Sequence, residues 1–192
     1  MIAYKGFNEH LWSKMGDGQK ETCKFFTGET KTVKKSKTAR SGFHCCEYIL
    51  GCMKYYPMDG KNRFFEVIAS GDIDEDGAER IACTTITLAR EIKKPLEIAV
   101  IALQYIVNHP DRDWEIRAGG VAAEWNRCEA INPGDIAIAR GRHPAARGPE
   151  GSIIGIIVDN KKGIQAVKLV KVTSDIAGRW ITVGKHREVL VL

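Results

Sequence analysis

The chain has 192 residues, is 44% hydrophobic and 28% charged, and carries a formal net charge of +5. That balance belongs to a globular chain long enough to bury a core without staples. No apolar run approaches the roughly 20 residues needed to span a bilayer, and the opening MIAYKGFNEH lacks the basic and apolar regions of a signal peptide, so a cytoplasmic chain with no membrane attachment is expected.

In chain order, Ile2 to Phe7 reads as a first strand, and the polar, glycine-punctuated stretch Asn8 to Gly28 as a loop. Glu29 to Lys35 alternates polar and β-branched residues and is a strand candidate. Gly42 to Cys46 reads as a short strand entering a turn. Glu47 to Tyr56 has a broadly helical apolar spacing that Pro57 stops. Arg63 to Ile73 and Arg80 to Glu91 read as strands joined through the acidic turn Asp74-Glu75-Asp76-Gly77, an antiparallel pair. Leu96 to Val107 keeps an apolar face at helical spacing, with Pro95 suited to its first turn.

From Ala118 to Ser152 neither period holds. Small residues recur instead, in Gly134-Asp135-Ile136-Ala137-Ile138-Ala139, at Gly141, in Ala145-Ala146-Arg147-Gly148 and at Gly151-Ser152. Such a theme suits the tight coils of a short β-solenoid or a plain glycine-rich connection. Ile153 to Val158 and Ile164 to Val172 form a strand pair about a turn at 159–163, and Arg179 to Val183 and Val189 to Leu192 are two further short strands. The reading is an α+β chain, with an α+β domain at 1–115 and a Gly/Ala-rich, β-rich tail at 116–192.

Six cysteines, Cys23, Cys45, Cys46, Cys52, Cys83 and Cys128, show no zinc spacing and no export context, so they read as free thiols. His44 beside Cys45 and Cys46 lacks both a third orienting residue for a nucleophile–base pair and a full ligand set for a metal; no metal is expected. Charge is unevenly spread. Residues 14–40 hold eight cations against Asp17, Glu21 and Glu29, which equals the entire net charge. Lys31, Lys34, Lys35, Lys37 and Arg40 are binding candidates there, and Arg140, Arg142 and Arg147 form a second basic cluster beside His143. Trp114 and Trp125 are possible aromatic anchors, or core. Neither a phosphate loop nor a dinucleotide fingerprint is present.

Tyr4-Lys5-Gly6-Phe7, Ser41-Gly42-Phe43-His44-Cys45-Cys46-Glu47, Tyr55-Tyr56-Pro57, Phe65-Glu66-Val67-Ile68-Ala69-Ser70-Gly71-Asp72 and the strand from Ile86 to Ile92 together resemble an uncharacterised domain family of bacteriophages, prophages and gut bacteria. Several members carry Gly-Asp-Tyr-Ser-Thr-Ala-Ala-like repeats followed by a β-rich tail. Gly134 to Gly141 is similar to one degenerate copy of that repeat. Ile49-Leu50-Gly51 stands where the family has Pro-Leu-Asp.

What the resemblance implies is a phage or prophage context, with the chain occupying a host protein or a protein–nucleic-acid complex. An inhibitor of host defence, anti-CRISPR-like, is the sharpest form of that expectation. It needs no cofactor. A rival rests on a likeness of element order to ADP-ribosyltransferase-type folds, which use NAD. There Tyr4 and His44 would line the cleft and Glu66 or Glu91 would supply the late acid. A structural phage component is a third reading, and the oligomeric state stays open.

Overall fold

The computed structural model describes residues 1–15, 20–76 and 80–192, with the side chains of all but 14, 15 and 20–22. It corrects the α+β expectation: about half of the chain is strand, and the helical share is small. Two compact units, Met1–Lys93 and Lys94–Leu192, divide it. The helix at 95–108 and the strand at 116–118 belong to the second unit.

The strands of the first unit are β1 (Ile2–Phe7), β2 (Trp12–Met15), β3 (Lys20–Lys24), β4 (Thr30–Thr32), β5 (Phe43–Cys45), β6 (Arg63–Glu75) and β7 (Ile81–Ile92); β2 and β3 form a separate hairpin and the other five one antiparallel sheet. β1 pairs with β6, β6 with β7, and β7 with both β4 and β5. The residue after β5 then turns back to β1: Tyr4 N donates to Cys46 O at 2.7 Å and Cys46 N to Tyr4 O at 2.8 Å. The hydrogen-bonded path from β1 through β6, β7 and β5 to β1 is therefore closed by this one bridge, while β4 pairs with β7 alone.

Because side chains alternate along a strand, Ala3, Lys5 and Phe7 of β1 all go inside. There Ala3 and Phe7 join Phe25, Cys45, Phe65, Val67, Cys83 and Leu88 in one core. The rings of Phe7 and Phe65 meet edge to face at 5.7 Å, and Phe25 packs against Phe7 at 5.1 Å. The stretch Asn8 to Gly28, expected to be a loop, contains the hairpin β2–β3; residues 16–19 of it lie outside the described residues, as does Gly77 of the acidic turn. Its apolar positions are too few to show a period of two. The expected helix at 47–56 is a 3-10 helix, Ile49–Lys54, with five buried residues.

The second unit holds α1 (Pro95–Asn108), β8 (Ile116–Ala118), β9 (Val121–Glu129), β10 (Ile136–Arg147), β11 (Ile153–Asn160), β12 (Gly163–Lys171), β13 (Ile181–Val183) and β14 (Val189–Val191). Pro95 occupies the first turn of α1, as its missing N–H allows. β9, β10 and β11 run parallel and are consecutive in sequence, with Val121, Ile136 and Ile153 in one register row. A flat parallel sheet needs a long crossover between such strands. This chain has only short turns, because β9 and β10 each bend mid-strand and return as coils. The bends fall at Asn126, in the left-handed region at φ 63°, and at Gly141–Pro144, where the β9–β10 register shifts.

Each coil restarts at a glycine with positive φ, Gly134 at 87° and Gly151 at 88°, a conformation that other residues adopt at a cost. The small-residue theme thus marks coil starts. β8 and β12 pair antiparallel at the two ends of the stack.

Coil strands are buried on both faces, so they read as continuous apolar runs rather than alternating ones. One face carries Ala122, Ala137, Ala139, Ile154 and Ile156, packed with Cys128 and Ile181. The other meets α1 at Gly155, where an added Cβ would sit 3.1 Å from Leu103 Cδ2 and 3.0 Å from Ile138 Cγ1.

Candidate functional site

In the first unit, β1 places Tyr4 on the outer face, in register with Glu66 of β6, which is in turn opposite Arg90 of β7. Glu66 is paired with Arg90 at 3.3 Å. Burial, then the Glu66 charge, raises the Tyr4 hydroxyl pKa, so the phenol is neutral at physiological pH. Glu91 is held by Arg63 through two hydrogen bonds, 2.7 Å from Nε and 2.9 Å from Nη2.

The His44 ring faces the turn at 37–41, with Nε2 accepting from Ala39 N at 3.0 Å. Burial first and the Lys5 charge second lower its pKa, which agrees with an accepting, neutral imidazole. Both candidate acids are thus neutralised by arginine, and the candidate histidine caps a turn.

Arg63 holds the Glu91 carboxyl below its ordinary value. That sign means the pair stabilises the fold above the unfolded carboxylate pKa and is lost as pH falls through the lower folded value. Glu91→Gln is expected to cost at most about 1 kcal/mol at neutral pH and nothing in strong acid, read as urea midpoints at the two pH values. An equal cost at both would mean that packing, not charge, holds the pair.

Lys5, part of the opening Tyr4-Lys5-Gly6-Phe7, is not among the expected site residues. It is 8% exposed, inside the closed sheet. Its Nζ donates to His44 O at 2.6 Å and lies 5.4 Å from the Phe7 ring centroid and 5.9 Å from that of Phe25. Burial depresses its pKa. The alternation of β1 was the available signal, since Ala3 and Phe7 are core residues on either side. Two thiols near it, Cys45 and Cys83, share a hydrogen bond that lowers the pKa of Cys83. Cys45 is held well above its ordinary value by its hydrogen bond with Cys83 and by burial. In the second unit burial pushes Cys128 up to about 12. All six cysteines are free. Among the described residues no three His, Cys, Asp or Glu side chains converge as metal ligands.

The basic segment sorts into paired and unpaired cations. Lys31 bonds Glu29 at 2.8 Å and lies over the Phe25 ring. Lys37 bonds Asp74 at 3.0 Å. Asp74 also accepts from Thr38 N at 2.7 Å and from the Thr38 hydroxyl, and those bonds hold its carboxyl far below the ordinary value. Ser36 Oγ donates to Asp72 O at 2.8 Å. The segment is therefore pinned to β6. Lys34, Lys35 and Arg40 are exposed on it and carry no ion pair among the described residues.

In the second unit, Arg140 is structural. It is 6% exposed, its Nε donates to Asp159 Oδ2 at 2.7 Å and its Nη1 to Pro110 O at 2.9 Å. Its guanidinium lies 5.5 Å from the Trp114 ring and 5.1 Å from that of Trp125. Arg147 pairs with Glu129 at 3.0 Å and covers the Trp180 ring at 4.7 Å. Of the second cluster only Arg142 is exposed. It stands beside His143 at the bend of β10, on a cavity of about 520 Å³ that Trp125 and Lys161 also line.

No helix among the described residues is long and apolar enough to cross a membrane. Neither the curated proteins nor the solved structures contain a match to the chain. A family model does match, over residues 1–99, which cover the whole closed sheet and slightly more than half of the sequence. The chain belongs to the family described as "Domain of unknown function (DUF7666)".

Proposed function

We propose that the chain is a non-enzymatic binding protein whose first unit presents Lys34, Lys35 and Arg40 to an acidic protein surface. The observation that carries this reading is the contrast within one unit. The residues suited to catalysis are tied up, Glu66 and Glu91 by arginines and His44 by a backbone N–H. The three cations stand out on a segment fixed by Asp72 and Asp74. A pinned segment loses little conformational freedom on binding, and pre-organisation of that kind raises affinity. Exposed like charges on a small patch also steer an oppositely charged partner.

The resemblance to phage and prophage chains supports a host protein as that partner. On this reading the chain works by occupying its surface, and inhibition of a host defence complex is its sharpest form. The rival, NAD-dependent ADP-ribosyl transfer, would need Glu66 or Glu91 released from its arginine.

Reversing Lys34, Lys35 and Arg40 to glutamate together is expected to weaken partner capture at least about a hundredfold, with the three charges contributing jointly. The unmodified complex should weaken steeply with added salt. The measurement is the bound fraction of partner at a series of salt concentrations. Binding that ignores both the reversal and the salt would remove this patch from the account. Reversal of Arg140 or Arg147 is no substitute test, since both are ion-paired within the second unit.

A further inference from the structure

We propose that the cavity at the bend of β10 is a binding site for a nucleoside phosphate, with Trp125, Asp159, His143 and the cations Arg142 and Lys161 recognising its base, sugar and phosphate. All these residues line the same cavity of the second unit, together with Asn126 and Asn160. It is an open depression of about 520 Å³, large enough to seat a nucleotide against its floor. The inference is independent of the basic segment of the first unit.

Three features of different chemistry meet there. Trp125 is 45% exposed although it is large and apolar. One part of its indole is occupied by the Arg140 guanidinium and by Trp114, whose ring centroid is 4.9 Å away. The indole is thereby held in place while its exposed part borders the cavity. A fixed aromatic surface of that kind stacks planar bases with little sequence preference.

Asp159 is the second feature. Its Oδ2 accepts from Arg140 at 2.7 Å, which neutralises its charge locally. Its Oδ1 is buried and has no hydrogen-bond partner among the described residues. A carboxylate oxygen accepts only, so it calls for a donor, and a ribose hydroxyl supplies a neutral one once a side-chain shift uncovers this atom, which is sealed from solvent in the unliganded fold.

The third feature is the exposed set Arg142, His143 and Lys161. Arg142 and His143 follow Gly141 at the bend, and Lys161 comes from the turn between β11 and β12. Cations from two segments around one cavity suit a phosphate, which arginine grips with paired N–H groups and lysine holds as a point charge. Asn160 Oδ1 accepts from Lys162 N at 2.7 Å, and its amide N–H₂ adds two donors. The bend packs closely enough to require glycine: a Cβ on Gly141 would lie 2.5 Å from Asn126 Oδ1.

The test is calorimetric titration of the full chain with AMP, UMP, adenosine, inorganic phosphate and a short single-stranded oligoadenylate. Saturable one-site binding of AMP and UMP is expected, with adenosine and phosphate each weaker by at least about tenfold. Arg142→Ala and Lys161→Ala, at exposed positions that the fold does not use, should each weaken AMP about tenfold. Trp125→Leu should remove the advantage of AMP over phosphate. Should that variant fail to fold, the Arg142 and Lys161 variants still decide.

Oligoadenylate binding much tighter than AMP would assign the site to a strand; equal affinities would assign it to a free nucleotide. Absence of saturable AMP and UMP binding at millimolar concentration would overturn the proposal. So would phosphate binding as tightly as AMP, or affinities unmoved by the Arg142 and Lys161 variants.

Discussion

Arg140→Ala is expected to destabilise the second unit by about 3–5 kcal/mol, the cost typical of breaking a buried ion pair from one side. The side chains of Arg140 and Asp159 are only 7% and 15% exposed, so removal of the guanidinium leaves a carboxylate that water reaches poorly. The Pro110 carbonyl loses its donor, and the rings of Trp114 and Trp125 lose the cation beside them. Urea unfolding followed by tryptophan fluorescence measures the effect directly, because Trp114, Trp125 and Trp180 belong to this unit. The paired change Arg140→Met with Asp159→Leu should recover most of the loss, since a buried ion pair replaced on both sides by apolar groups is often neutral. A single-variant loss under about 1 kcal/mol would mean that the site is wetter than its geometry says.

Lys5→Met is expected to act in the opposite direction, raising stability by about 1–3 kcal/mol at neutral pH, the range for removing a buried and under-partnered polar group. An ammonium has three donors, and the described hydrogen bonds of Lys5 comprise one, to His44 O. Methionine keeps similar length and bulk among Phe7, Phe25 and Phe65.

The pH dependence carries the sharper signature. Burial depresses the Lys5 pKa in the folded protein, whereas the unfolded lysine keeps its ordinary value near 10.4. Between those two values the unfolded chain holds a proton that the folded chain has lost, so stability rises with pH across that window. The methionine variant should lack this rise. Chemical denaturation at several alkaline pH values checks it. A loss of stability in Lys5→Met at neutral pH would show that the ammonium is better satisfied inside the sheet than its single hydrogen bond indicates.

Much of the fold is legible where one face of an element is dry and the other wet. β1, the β6–β7 pair and the β11–β12 pair follow from apolar runs bounded by turns, and α1 from a helical stripe closed by Pro95 and Asn108. Legibility ends where that contrast ends. Ile136 to Ala139 is buried on both faces between neighbouring coils, so β10 shows no period of two, and the small residues disclosed coil starts without disclosing strands. That is why an α+β expectation gave way to a mostly β chain.

The site residues were harder to read for a related reason. A lysine or arginine in a sequence carries no mark of its partner when the partner comes from a distant strand. Lys37 meets Asp74, Arg140 meets Asp159 and Arg147 meets Glu129 only after folding. Lys34, Lys35 and Arg40 carry the same charge as Lys37, yet they have no ion pair among the described contacts. Arg142 was legible as a cation, but the cavity that it shares with Lys161 depends on the bend of β10.

The most direct test of the binding account is a pull-down with the full chain and with its Lys34→Glu, Lys35→Glu, Arg40→Glu form, analysed by native and intact-protein mass spectrometry. The account predicts a stoichiometric partner of unaltered mass with the wild-type chain, and its loss with the charge-reversed one. A partner carrying an added ADP-ribose mass at sub-stoichiometric bait would contradict it, as would capture that the reversal leaves unchanged.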